Sequence, residues 1–252
     1  MDRTGVVGLI PARWASSRLP GKPLREIMGK SMIQRVYERA SQASVLEDVC
    51  VATDDDRIHN AVRAFGGHSV LTSADHPSGT DRIAEAVDTT GGEFVVNIQG
   101  DQPFIDAAMI DATVAPLLAD PSLVMSTVVH VLNRSEDLHN PGVVKAVVDQ
   151  QGFAMYFSRS LIPFPQTEIA HAVYEHVGLY VYRREFLKLI ASLEPTLLER
   201  VESLEQLRVL EHGYRIRVVE ARSEDHEFTG FSVDTSEDLA RAEEMLRERG
   251  LD

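Results

Sequence analysis

Apolar runs that alternate with helical stripes dominate the first 118 residues. The runs at 6–10, 49–53 and 94–98 are nearly continuous, and a shorter one lies at 68–72. Between them Met32, Ile33, Val36, Tyr37 and Ala40 keep helical spacing, as do Ile58, Ala61, Val62 and Phe65 before the stop at Gly66 and Gly67. Further helices are predicted at 80–87 and 107–118. Strands that stay apolar on both faces and alternate with amphipathic helices pack as a parallel sheet covered on both sides. After about residue 124 the pattern changes. Runs at 124–131, 143–149, 153–158 and 177–182 have little helix between them, which predicts an antiparallel lobe. Helices at 184–192 and 200–212, a strand at 215–221 and a helix at 236–249 follow, the last with Leu239, Ala242, Met245 and Leu246 on one face. The polar stretch 222–230 reads as a mobile loop. One α/β domain over 1–252 is expected, with 1–125 and 215–252 as its parallel core and 126–214 as the lobe.

A chain of 252 residues buries a continuous core without disulfides. Its 44% hydrophobic and 25% charged residues exclude disorder as the main description. No apolar run approaches the roughly 18 residues of a membrane span, and the run at 6–10, cut by Pro11, is too short for a secretory signal. The only cysteine, Cys50, permits no internal disulfide and reads as a small core residue. A cytoplasmic protein is expected. The net charge of −14 repels nucleic acid and anionic membranes, so neither is expected as a partner. The charge is uneven, with eight basic and three acidic residues in 1–39 against nine and seventeen in 185–252. A basic N-terminal segment on an acidic protein points to a local anion site; an unevenly charged, solvated surface is the other reading.

In α/β sheets, ligands bind outside the carboxyl ends of strands. The first such end is Pro11-Ala12-Arg13-Trp14-Ala15-Ser16-Ser17-Arg18-Leu19-Pro20-Gly21-Lys22-Pro23-Leu24. Arg13, Arg18 and Lys22, with small residues between them, suit a polyphosphate; a polar loop with incidental charges is the alternative. Gly29-Lys30-Ser31 is no P-loop, because Leu24 stands where that motif needs glycine. No G-x-G-x-x-G follows the first strand. Pro77-Ser78-Gly79-Thr80-Asp81-Arg82 opens a helix, as a nucleotide cradle or as a plain capped start. Asn97-Ile98-Gln99-Gly100-Asp101-Gln102-Pro103 ends a strand. Its carboxylate beside a glycine suits magnesium as well as a turn, and its place in the crevice of the first strand favours the metal. Phe231-Ser232-Val233-Asp234-Thr235-Ser236 reads, on its own, as a helix start capped by Thr235 or Ser236.

The strand running into P-A-R-x-x-S-x-R-L-P-G-K-P-L resembles the sugar-activating nucleotidyltransferases. More narrowly, it resembles the cytidylyltransferases that make CMP-linked 3-deoxy-D-manno-octulosonate (Kdo), and the likeness extends from Val6 to about Leu246. The resemblance implies a mainly parallel, Rossmann-like nucleotidyltransferase sheet with an inserted antiparallel lobe. Residues 1–125 and 215–252 would bind nucleotide, and 126–214 the acceptor and the second subunit of a homodimer. It also implies transfer of CMP from CTP to a carboxylic-acid acceptor, release of pyrophosphate, and magnesium as cofactor.

The same resemblance assigns residues. Pro11, Ala12, Arg13, Arg18 and Lys22 would hold the nucleotide, with Arg13 and Lys22 catalytic. Ser78, Arg82 and Gln99 would lie at the base, and Asp101 and Asp234 would bind the metal. Gln102, Ser232 and Ser236 stand where the family commonly has Glu, Gly and Pro. Arg159 is implied to take the acceptor carboxylate, and His176, Tyr180, Glu205 and Gln206 its hydroxyls. His176, Gly178, Tyr180 and Tyr182 alternate strictly and so share a strand face. Glu175, where the family commonly has Arg, would set a negative charge beside the acceptor. Kdo is the implied acceptor; 8-amino-Kdo and a small non-sugar acid such as phosphonoformate are alternatives within the same chemistry. A non-catalytic CTP sensor is the alternative of another class, and the pair Asp101 and Asp234 argues against it, since a sensor needs no aligned metal.

Overall fold

In the computed structural model, which describes residues 5–16, 18–221, 228 and 230–250, the first apolar run is strand β1 (Val6–Ala12), buried everywhere but at Pro11. A hairpin of β2 (Glu26–Ile27) and β3 (Lys30–Ser31) follows, then α1 (Met32–Ala40), β4 (Asp48–Thr53), α2 (Asp56–Ala64), β5 (His68–Leu71), α3 (Gly79–Thr90), β6 (Phe94–Asn97) and α4 (Ala107–Ala119). Polar caps start the helices: Ser31 accepts from Gln34 N, Asp55 from Arg57 N and Ser78 from Asp81 N.

β1 pairs in parallel with both β4 and β6, and β4 with β5, giving the order β6-β1-β4-β5. The chain moves outward from β1 through β4 and β5, then returns on the other side of β1 as β6. Its direction therefore reverses between β1 and β6, and the topological switch point lies at their carboxyl ends.

The chain divides into two compact units, Met1–Asp111 with Asp225–Asp252, and Ala112–Glu224. The second unit contains β7 (Met125–Val131), β8 (Lys145–Val148), β9 (Ala154–Ser158), β10 (Tyr174–Arg183), α5 (Arg184–Ser192), α6 (Leu197–Glu202), α7 (Gln206–Glu211) and β11 (Arg217–Glu220). β7 has β11 parallel on one side and β10 antiparallel on the other; β10 continues to β8, and β8 to β9, both antiparallel. The last helix, α8 (Ser236–Glu248), returns to the first unit, with Thr235 and Asp238 forming a capping box. It closes an apolar cluster of Leu19, Ile27, Met32, Phe104, Phe228, Val233, Ala242, Met245 and Leu246.

In the second unit β11 stands beside its ladder partner β7. Two expectations need correction. The helix expected at 200–212 is two helices, broken where Ser203 takes a left-handed conformation at φ 53°. Strict alternation along β10 is interrupted by a register shift between Val177 and Tyr180. Except for Phe228 and Gly230, the polar stretch 222–230 lies outside the described residues. Cys50 is buried, and burial, with Asp48 nearby, pushes its thiol up to about 12. Among the described residues no helix is long and apolar enough to cross a membrane.

Candidate active site

At the switch point of the first unit, two chain segments press on Pro11. A Cβ at Gly100 would lie 3.0 Å from the Pro11 carbonyl oxygen, and one at Gly79 would lie 3.1 Å from the Pro11 ring. The end of β6 and the start of α3 therefore approach β1 closely, which only residues without side chains allow.

The turn after β1 is anchored from below and folded by its own backbone. Leu19 sits in the apolar cluster. Gly21 N donates to Trp14 O at 3.3 Å, Lys22 N to Leu19 O at 3.0 Å and Leu24 N to Gly21 O at 2.9 Å. Gly21 has φ 69°, and a Cβ there would meet the Trp14 ring at 2.9 Å. The Arg57 guanidinium lies over the Trp14 ring, 3.4 Å from its centroid.

This turn aims Lys22 at two carboxylates distant in sequence. Its Nζ lies 2.8 Å from Asp101 Oδ2 and 2.9 Å from Asp234 Oδ1. Arg18 Nη2 is 3.0 Å from the same Asp234 oxygen. Val233 N donates to the Asp101 carbonyl at 2.9 Å, and Asp234 N to Asp238 Oδ2 at 3.0 Å, so α8's capping box also fixes Asp234. Thr235, not Ser236, is the cap. Two cations and two anions thus form one neutral cluster, partly open to solvent, at the switch point.

The remaining nucleotide candidates fare differently. Ala12 is buried, and Arg13 is exposed with no ion pair among the described residues. Ser78 Oγ caps α3 and donates to Asp81 Oδ2 at 2.7 Å. Arg82 is buried, with Nη1 on Thr72 Oγ1 at 2.6 Å and on Ser73 O at 3.3 Å, and Nη2 3.4 Å from Asp54 Oδ2. These bonds make Arg82 a cross-link beneath the helix start. Gln99 Nε2 reaches Asn97 Oδ1 at 3.4 Å.

In the second unit His176, Tyr180 and Gln206 come together. Ring centroids of His176 and Tyr180 are 5.4 Å apart, and those of Tyr180 and Tyr182 6.1 Å, so these rings stay in a row despite the bulge. Thr127 Oγ1 lies 2.9 Å from His176 Nε2 and donates to Leu179 O at 2.8 Å. A hydroxyl has one proton, so His176 Nε2 carries the other and donates it to Thr127. Burial pushes the imidazole down to about 3. The ring is therefore neutral, with Nδ1 as acceptor.

Tyr180 Oη donates to Gln206 Oε1 at 3.2 Å, while Gln206 Nε2 is buried without a hydrogen-bond partner. Burial first, and the Glu205 carboxylate second, push the Tyr180 phenol up; Glu205 itself is exposed. Arg159 is held by the C-terminal end of α6: its Nε donates to Glu202 O at 2.8 Å and its Nη2 to Ser203 O at 3.4 Å.

Glu175 has partners on both neighbouring strands. It pairs across the strands with His130 on β7 and Lys145 on β8, and alternation puts it on the strand face opposite His176. Its Oε2 lies 3.3 Å from His130 Nε2. Sequence reasoning missed Thr127 and Glu202, partners of His176 and Arg159 that lie 49 and 43 residues away. No local motif marks either.

The described residues have the outline of known proteins. A 3-deoxy-manno-octulosonate cytidylyltransferase of Syntrophotalea carbinolica is 49% identical over 96% of this chain and 98% of its own length. One of Geotalea daltonii is 48% identical over 97% and 99%. A solved structure of a CMP:2-keto-3-deoxy-manno-octonic acid synthetase complexed with CTP matches with a TM-score of 0.91 at 41% identity, covering 97% of this chain and 99% of that one. A family model described as cytidylyltransferase matches residues 7–216. With that model matched over residues 7–216 and near-full-length relatives at almost half identity, the chain belongs to the cytidylyltransferase family.

Proposed function

We propose that this protein transfers CMP from CTP to Kdo and releases pyrophosphate. The observation that carries this reading is the cluster of Arg18, Lys22, Asp101 and Asp234 at the switch point, in a chain so similar to Kdo cytidylyltransferases. Nucleotidyl transfer of this kind needs no covalent enzyme intermediate, so catalysis is positioning and charge stabilisation. Arg13, Arg18 and Lys22 would bind the triphosphate and neutralise the departing pyrophosphate. Pro11 and Ala12 would line the nucleotide, and Gln99, with the α3 start at Ser78 and Arg82, would face the cytosine.

The donor set suits magnesium. Asp101 and Asp234 converge on one cationic point, occupied by the Lys22 ammonium. Two carboxylates match an ion that fills its other positions with water and phosphate oxygens. Among the described residues no cluster of three or more His, Cys, Asp or Glu forms an all-protein cage. Bound there, magnesium would offset phosphate charge and make the attacking hydroxyl more acidic. Lys22 would balance the carboxylates before the nucleotide arrives and transfer its charge to phosphate oxygens afterwards.

On the acceptor side, Arg159 would pair with the carboxylate. His176 Nδ1 would accept from a hydroxyl, and the unpaired Gln206 Nε2 would donate to one, supported by Tyr180 and Glu205. The proposal includes a cytoplasmic homodimer. Exposed Leu197 and Val201, one turn apart on α6, and exposed Met155 on β9 are apolar surface that a second copy would cover, and sedimentation tests this.

The decisive experiment is the product mass after incubation with CTP, magnesium and Kdo, 8-amino-Kdo or phosphonoformate, alongside pyrophosphate release. A CMP adduct of Kdo is expected. Use of phosphonoformate and not Kdo overturns the acceptor but keeps the chemistry; CTP binding without pyrophosphate release overturns the enzyme.

A further inference from the structure

Lys145 takes no part in the chemistry above, yet it is among the largest fully buried side chains, at 0% exposure. Its Nζ donates to three backbone carbonyls: Asn140 O at 2.7 Å, Val143 O at 2.8 Å and Arg159 O at 3.3 Å. Those bonds use all three of its N–H groups. A buried ammonium is costly unless it is satisfied in this way, and Glu175, opposite it across β8 and β10, adds a compensating charge. Burial still holds the Lys145 pKa below its ordinary value.

All three carbonyls belong to the surroundings of Arg159. Asn140 and Val143 bracket Pro141, whose carbonyl accepts from Arg159 Nη1 at 2.9 Å. The third is the Arg159 carbonyl itself. Glu202 Oε2 accepts from Arg159 N at 3.0 Å, and Glu202 Oε1 accepts from Ser158 Oγ at 2.6 Å. Ser158 is the β9 residue directly opposite Lys145. Arg159 is thus gripped at its amide, its carbonyl and its guanidinium. The guanidinium bonds, from Nε, Nη1 and Nη2, use three of its five N–H groups. One N–H stays on each terminal nitrogen for a further acceptor.

We infer that Lys145, at the carbonyl, and Glu202, at the amide and guanidinium, are positioning residues that fix Arg159 in the orientation that receives the acceptor carboxylate. The inference rests on the proposed role of Arg159. A misplacement of about 1 Å at such a contact is enough to cost on the order of a hundredfold, so loss of either anchor should raise the acceptor's half-saturating concentration by about tenfold or more.

The test compares Lys145→Met, Glu202→Gln, Arg159→Ala and the double variant Lys145→Met/Arg159→Ala. Half-saturating concentrations for Kdo and CTP, kcat and melting temperature are measured for each. The expected result is a selective rise for Kdo in both positioning variants, CTP values within about twofold of wild type, and no further rise when Lys145→Met is added to Arg159→Ala. A lower melting temperature and kcat with both half-saturating concentrations unchanged would mean a merely structural role and overturn the inference. If Lys145→Met does not fold, Glu202→Gln decides alone. If Arg159→Ala raises the Kdo value but the positioning variants do not, the inference fails and the acceptor reading stands. If Arg159→Ala itself leaves the Kdo value unchanged, both fall.

Discussion

His176 gives the sharpest quantitative test. Its ring is buried, edge-on to Phe157 with centroids 4.8 Å apart, and donates from Nε2 to Thr127. Burial lowers its pKa from 6.5 to about 3. In the unfolded chain the imidazole regains its ordinary value, so on acidification the unfolded state takes up the proton first. Stability from this residue is complete above the unfolded pKa and is lost as pH falls from 6.5 towards 3. Between about pH 7.5 and about pH 5 the linkage amounts to about 2 kcal/mol. His176→Gln keeps an N–H for Thr127 and removes the titration. Equilibrium urea unfolding, followed by circular dichroism at both pH values, gives the stability change for each protein, and subtraction removes every group the two share. The wild type should lose about 2 kcal/mol more than the variant over this interval. Equal losses would mean that the ring titrates as a solvated imidazole, and the neutral Nε2–H form would be wrong.

Asp101→Asn and Asp234→Asn should each lower turnover by about 10²–10³ with little change in melting temperature, and near-normal activity of Asp234→Asn would displace the metal site. CTP should be used in preference to ATP and GTP when all are present at equal concentration; equal turnover of ATP would refute the base assignment. Arg159→Lys, which exchanges a planar fork for a point charge, should raise the half-saturating concentration of Kdo while that of CTP holds, and an unchanged Kdo value would refute the clamp. Gly21→Ala forces a side chain into the left-handed region and against Trp14, so it should cost about 1–2 kcal/mol and weaken CTP binding. An unaffected melting temperature and CTP affinity would show that the turn tolerates the change.

Local signals made the first unit legible. Asp54 and Asp55 end β4 and start α2, and Gly66 and Gly67 stop that helix, so order and type of element followed from residues a few positions apart, although β1 runs through Pro11 to Ala12. The second unit is built from longer-range choices. Nothing in 217–220 says that its neighbour is β7, some ninety residues earlier. Ser203 carries no glycine or proline signal for the break between α6 and α7. The break instead leaves the Glu202 and Ser203 carbonyls open to Arg159, a helix-terminus partner that sequence alone does not reveal. The site divides likewise. The cations of the first turn were visible as a motif, whereas the meeting of Lys22 with carboxylates 79 and 212 residues away is a product of topology. Arg82 shows the same limit: its motif gives no sign of the internal bonds to Thr72 and Asp54 that hold it.

Trp14, between Arg57 and Gly21, is the only tryptophan of the chain. Its indole emission therefore arises from one place, the turn that carries Arg13, Arg18 and Lys22. A guanidinium over the ring and Gly21 close to its rim make that emission sensitive to any shift of Arg57 or of the turn. Changes in intensity and wavelength on adding nucleotide would follow the turn in real time, without a label and without turnover. Stopped-flow mixing could then separate nucleotide capture from the chemical step that follows it.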